Sequence, residues 1–446
     1  MKVLCALLGG FLLAASTTVD AGDLQKGGLA YARGDYTSAI AEFRPLADGG
    51  DPVAQYKLGV MYACGLGVQE DDAQAALWYK KAAEKGYVDA QYMLGQIYSK
   101  GKGAQKNDAS AIAWYSKAAE QGDLNAQFEL GQMYFSGSGI GQDHAQAASW
   151  LRKSALQGNA GAEASLGLIY LNGQGMPVDR EQAISWLRKA SEQGNPDAQY
   201  NLGVMYLDGT VVHKDSTKAV ALLREAASRY NVQAESSLGL IYLNGKDVPQ
   251  DDVQAAAWFF DAAGKKDVSS QYHLGLMYAT GQGVPKNLVT ADALLALSAS
   301  SNEPDPTITR LADISRSALE QGMTQQQQAE ARALSDEMKH KGMLGALLSR
   351  RQSYPAAYAF MYMVPKPIDV EIDHNGLTHI DHHIMGEPLL RSRFMVLAQV
   401  VPQPKVQITI QGNGGDPVLK QALEVVTASA KSTGFSDVEV SGQTLP

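Results

Sequence analysis

AQYKLGVMYACGLGVQEDDAQAALWYKKAAEKGYVD, Ala54–Asp89, is one full period of this chain. The pattern resumes 36 residues later as AQYMLGQIY from Ala90, then from Ala126, Ala162, Ala198, Ala234 and Ser270, always in steps of 36 and without an insertion. Special positions keep phase. Gly59, Gly95, Gly131, Gly167, Gly203, Gly239 and Gly275 form one column, and Tyr62 to Tyr278 form another. Gly65 to Gly281 and Ala75 to Ala291 form two more. All five tryptophans (Trp78, Trp114, Trp150, Trp186 and Trp258) share one phase, with Leu222 and Leu294 in the remaining two places. A fixed period of this length marks an array of supersecondary units.

One unit reads as two helices. Asp51, Asp123, Asn159, Asn195, Asn231 and Asp267 stand as N-caps of a first helix, Tyr87 being the exception. Pro52 and Pro196 follow at the favoured first helical position. Leu58, Met61 and Tyr62 repeat at i, i+3 and i+4, an apolar stripe of helical period. After a Gly-rich turn, Asp71, Asn107, Asp143, Asp179, Asp215, Asp251 and Asn287 cap a second helix. Gln74, Gln146, Gln182 and Gln254 at N3 suit a capping box. Trp78 and Ala82 carry the stripe of that helix, and Gly86, Gly122, Gly158 and Gly194 sit where a left-handed residue closes it. A glycine inside the first helix costs about 1 kcal/mol relative to Ala, so a whole column of them predicts close helix approach. A single pair cannot bury its apolar face, and stacked neighbours can. The expected fold is therefore all-α: a right-handed α-α superhelical solenoid of about seven to eight 36-residue helix pairs, followed by a small α+β C-terminal domain.

The pattern AQYxLGxxYxxGxGVxxD…AxxWxxKAAExG resembles the Sel-1-like repeat, a relative of the tetratricopeptide repeat, over roughly residues 23–300. The resemblance implies a bacterial adaptor that binds other proteins. Some members of the family staple each repeat with a cysteine pair, whereas here the matching positions are alanines such as Ala83 and Ala90. The second turn glycine is replaced at Val211 and Asp247, and the closing glycine at Tyr230, Lys266 and Asn302. Stacking is accordingly expected to be less regular around repeats five to seven.

The array is flanked by other segments. Met1-Lys2, the apolar run Val3–Ala15 and Val19-Asp20-Ala21 before Gly22 have the layout of a cleavable signal peptide over residues 1–21. Cys5 lies too early in that run for a lipoprotein. Cleavage removes it and leaves Cys64 as the single cysteine, so no internal disulfide is expected. The protein is then periplasmic or secreted, without an integral membrane span once the signal is gone. Residues 23–50 read as a shortened N-terminal capping repeat with its turn at Arg33-Gly34-Asp35, and 51–302 as seven full repeats. Residues 303–345 read as a helical C-terminal cap in which Thr324 starts a helix.

Across residues 350–446 the period is lost. Phe394–Val401, Val406–Ile410 and Val438–Val440 read as strands, with a helix from Asp416 to Lys431. Within it His374, His379, His382 and His383 cluster around Asn375-Gly376, the strongest hairpin dipeptide. On one continuous strand His379, Asp381 and His383 share a face by period two. With His374 they make a candidate divalent-metal site, the basis of an alternative reading as an envelope metal-dependent hydrolase. No cofactor is otherwise expected, and no nucleophile elbow, P-loop, HExxH or dinucleotide fingerprint is present.

A net charge of -9 with no basic stripe excludes a nucleic-acid partner. The expected binding surface is the concave face, built from two columns of the first helices. One holds Lys57, Met93, Glu129, Ser165, Asn201, Ser237 and His273. The other holds Val60, Gln96, Gln132, Leu168, Val204, Leu240 and Leu276. This mixed, mostly uncharged lining suits an extended segment or helix of a partner protein. The expectation is thus an exported, non-enzymatic scaffold serving envelope regulation, assembly or host contact.

Overall fold

The computed structural model describes residues 21–246, 248–301 and 306–349, with five strands at 368–372, 378–380, 383–384, 406–410 and 438–442. The chain divides into two compact units, residues 1–199 and 200–446.

The first unit holds α1 (Ala21–Ala32), α2 (Tyr36–Asp48), α3 (Pro52–Cys64), α4 (Asp72–Glu84), α5 (Val88–Lys100) and α6 (Asp108–Glu120). After them come α7 (Leu124–Ser136), α8 (His144–Leu156), α9 (Ala160–Asn172), α10 (Arg180–Glu192) and the start of α11 (Pro196–Asp208). The caps fall where the sequence puts them. Asp51, Asp123 and Asn159 each accept from the N3 backbone N–H of a first helix, and Tyr87 makes no side-chain cap. Asp71, Asn107, Asp143 and Asp179 do the same for the second helices. The residue that opens each second helix also donates its backbone N–H to the column tyrosine, as Asp71 does to the Tyr62 carbonyl, which closes the turn.

The glycine column now has its partner. A Cβ on Gly59, Gly95, Gly131 or Gly167 would lie 2.5 to 2.7 Å from Tyr79, Tyr115, Leu151 or Leu187, the residue 20 places later on the second helix of the same repeat. In the capping pair the equivalent contact is Gly27 with Phe43, 16 places apart. The same helix packing therefore persists across a turn shortened by four residues. Asp35 caps α2 by accepting from Ser38 N, so Arg33-Gly34-Asp35 forms a helix-initiating turn.

The second unit holds the rest of α11, then α12 (Ser216–Ser228), α13 (Val232–Asn244), α14 (Asp252–Gly264), α15 (Val268–Thr280) and α16 (Leu288–Ala299). It continues with α17 (Pro306–Glu320), α18 (Gln325–Lys341) and α19 (Met343–Ser349). The packing glycines recur as Gly203, Gly239 and Gly275 against Leu223, Phe259 and Leu295. Thr324 caps α18 with a complete capping box, Gln327 accepting in return from the Thr324 N–H. Tyr230 and Lys266, which replace closing glycines, still adopt positive φ (66° and 71°). Their turns keep the repeat's geometry against a left-handed penalty of about 1–2 kcal/mol each.

The five strands form one sheet in the order β3-β2-β1-β4-β5, where β1 is Ile368–Ile372, β2 Thr378–Ile380, β3 His383–Ile384, β4 Val406–Ile410 and β5 Val438–Gly442. β1 pairs antiparallel with β2 and parallel with β4. β4 pairs parallel with β5, which requires a crossover connection between them. The expected strand at 394–401 and helix at 416–431 lie outside the described residues, as do Asn302 and the signal segment 1–20.

Cys64 is buried at the end of α3, and Cys5 lies outside the described residues. One expectation needs correction. His379 and His383 do not lie two apart on one strand. β2 ends at Ile380 and β3 runs antiparallel to it, pairing His379 with Ile384 and Ile380 with His383. The period-two argument for a shared metal-binding face therefore fails.

Candidate protein-binding face

Most members of the two first-helix columns are half-buried. In the first unit, Lys57 Nζ lies 5.7 Å from the centre of the Tyr31 ring, and burial depresses the lysine's pKa. Gln96 donates to Tyr92 Oη at 2.6 Å, and Gln132 donates to Ser165 Oγ at 3.1 Å across neighbouring repeats. Burial pushes the Glu129 carboxyl up, opposed by Lys100. Met93 packs on the N-terminal core cluster, and Leu168 is half-buried. Val60 departs from the expectation: at 3% exposure it belongs to the core and is closed to a partner.

In the second unit Val204 is the open member, 38% exposed. Asn201, Ser237, Leu240 and Leu276 are half-buried. His273 stacks on Phe259, centroids 5.1 Å apart and planes 17° apart, and meets Tyr272 edge-on. Burial lowers its pKa, favouring the neutral imidazole. Each unit therefore presents a half-sheltered, largely uncharged row that offers amides, hydroxyls and aliphatic groups.

Three features escaped the sequence reading. The first is a buried amide column one turn from each first-helix N-cap. Gln91 Nε2 donates to the Ala83 carbonyl of the preceding repeat while its Oε1 accepts from Gln121 of its own repeat at 2.7 Å. Gln127 does the same with Ala119 and Gln157. Glu163 takes the acceptor half from Gln193, and Glu235 pairs with Lys265 at 2.6 Å. This column ties successive repeats together beside the buried Ala83 and Ala90. The second is a stack of ammonium on indole: Lys81, Lys117, Lys153 and Lys189 lie 3.8 to 4.2 Å from the centres of Trp78, Trp114, Trp150 and Trp186. The third is a buried acid, Asp292. The signal for the first two was present as in-phase columns, but a Gln that alternates with Glu reads as surface until its burial is known.

Of the proposed metal ligands, His379 is on β2 and His383 on β3, while His374 and Asp381 lie outside the described residues. Among the described residues no three His, Cys, Asp or Glu side chains assemble a metal-binding group. Nor, among them, is any helix long and apolar enough to cross a membrane.

Consecutive capped helix pairs, interlocked by glycine and joined by buried amides, define a helical-repeat solenoid protein. The Sel1 repeat model matches seven successive segments, residues 52–87, 88–123, 124–159, 160–195, 196–231, 232–266 and 268–302. That is more than half of the chain, and the chain belongs to the Sel1 repeat family. It is similar to the crystal structure of c5321, a protective antigen present in uropathogenic Escherichia coli strains displaying an SLR fold. That match has 29% identity and a TM-score of 0.50, covering 79% of this chain and 81% of that one. It is also similar to a Sel1 repeat protein from Oxalobacter formigenes, with 31% identity and a TM-score of 0.52 over 54% and 97% of the two chains. A bacterial origin fits these neighbours. No curated protein matches the chain. Sel1 repeat proteins are generally protein-interaction scaffolds.

Proposed function

We propose that this chain is an exported, non-enzymatic scaffold that takes a segment of a partner protein along the first-helix columns of its repeats, the concave face of the solenoid. The observation that carries this reading is the character of those columns. Away from the packed glycine interface the first helices keep a half-buried row of amides, hydroxyls and aliphatic side chains, which suits a polypeptide with its own amides and side chains. The E. coli neighbour is a protective antigen, which supports a position outside the cytoplasm and a role in envelope assembly or host contact. No observation favours the hydrolase reading now that His379 and His383 stand on separate strands.

The test is site-specific photo-crosslinking in cells of the source organism. A crosslinker replaces Met93, Ser165, Ser237 or Leu276 on the columns, or Leu77 or Leu156 on the exposed side of second helices. A discrete protein adduct is expected from the column positions and not from the second-helix positions. Adducts confined to Leu77 and Leu156, or none from any column position, would remove this binding face.

A further inference from the structure

The seventh repeat breaks a column that the other six keep. Ala76, Ile112, Ala148, Ile184, Val220 and Ala256 occupy one position of the second helix, and the seventh residue in phase is Asp292. Asp292 is fully buried, in a helix that packs against both α17 and α18. Its Oδ1 accepts from Arg316 Nε of α17 at 2.9 Å, and its Oδ2 has no hydrogen-bond partner. Arg316 also donates through Nη2 to Glu320 at 2.8 Å, and Arg332 of α18 adds a longer-range attraction to the acid.

Stability does not account for this acid. Burial outweighs the attraction of both arginines and pushes the Asp292 carboxyl up. Taking an ion pair out of water commonly costs as much as the pair returns, and an apolar replacement of the same volume is often neutral or better. The other repeats hold an apolar residue in this position. What the acid changes is the choice of neighbour, because only an element bringing a cation to that point leaves no unpaired buried charge.

We propose that the Asp292–Arg316 pair is a specificity device that ends the array: it makes the last repeat accept the chain's own α17–α18 cap and reject a further repeat. A terminal repeat needs such a distinction, since its exposed end otherwise offers the surface that every internal repeat offers its successor. The cap identifies itself by Arg316, and Glu320 holds that guanidinium in place.

Hydrogen exchange on the full-length chain tests this in two arms. In the first, Arg316→Met strands the carboxylate, and exchange across α17 and α18 is expected to accelerate by about tenfold or more. Asp292→Ala/Arg316→Met removes both charges and is expected to return exchange to near the wild-type rate. If the double variant exchanges as fast as Arg316→Met, the pair is an ordinary stabiliser and the proposal fails. In the second arm the acid is moved to an internal repeat as Ala256→Asp, with Ala256→Ile as the size control. The acid is expected to strip protection from α15 and α16 while α3–α10 keep theirs, and the isoleucine variant is expected to keep all of it. Unchanged protection in Ala256→Asp, or equal loss with isoleucine, overturns the proposal.

Discussion

At the scale of single residues, the repeat shows what each position must do by substituting it. The amide column makes the point. Gln91 and Gln127 both donate and accept, so a side chain carrying one donor group and one acceptor group is the natural occupant of that buried position. Glu163 can only accept while ionised, and burial pushes its carboxyl up against the lowering effects of Gln193 and Lys189. A raised pKa means that folding favours the protonated form. The favourable contribution is therefore present at acid pH and is lost as pH rises through the raised value. Glu163→Gln removes that titration and restores a donor for the preceding repeat. The variant is expected to match the wild type near pH 4 and to gain on the order of 1 kcal/mol by pH 7. Urea unfolding at several pH values checks this, and a gap that shrinks toward neutral pH would contradict it.

At the scale of the element, the helix pair is decided by the close approach at its glycine. A Cβ on Gly95 would sit 2.5 Å from the buried Tyr115 ring, whereas on Gly275 it would sit 3.0 Å from Leu295 Cγ. Alanine gains about 1 kcal/mol in helix propensity at either site. Overpacking against the ring costs about 1–3 kcal/mol. Gly95→Ala is thus expected to destabilise and Gly275→Ala to be near neutral. A thermal melt in which Gly95→Ala is the more stable variant would mean that propensity, not approach, governs the column. The elements themselves were legible in the sequence because one residue type, repeated in phase, separates caps such as Asp71 from packing glycines such as Gly95. The partner of each glycine, 20 residues on, was not, since it is Tyr, Leu or Phe by turns and only distance identifies it. Asp292 was hidden for the opposite reason: one acid in seven looks like a tolerated surface change until burial and Arg316 are seen together. The histidine strand was misjudged because alternation along a sequence does not reveal where a strand ends, and β2 ends at Ile380.

At the scale of the whole molecule, the columns can meet an envelope partner only if the chain leaves the cytoplasm, so the amino terminus decides whether the proposed function is available at all. The export we propose rests on reading Lys2, the apolar run Val3–Ala15 and the small residue Ala21 before Gly22 as an export and cleavage signal. The run is too short to serve comfortably as a membrane anchor, which favours removal over retention. Cleavage there is also compatible with the fold. α1 begins at Ala21, so a chain starting at Gly22 keeps all but one residue of that helix, including Gly27, whose contact with Phe43 closes the capping pair. The mature protein is therefore expected to begin at Gly22 and to fractionate with the periplasm or the medium. Arginine in place of Ala21 presents a bulky charge where the cleavage site needs a small side chain, and is expected to accumulate precursor. Intact mass and amino-terminal sequencing of the fractionated protein check this. A chain that retains Met1–Ala21 in the cytoplasmic fraction would leave the solenoid's protein-binding role standing and move its partner inside the cell.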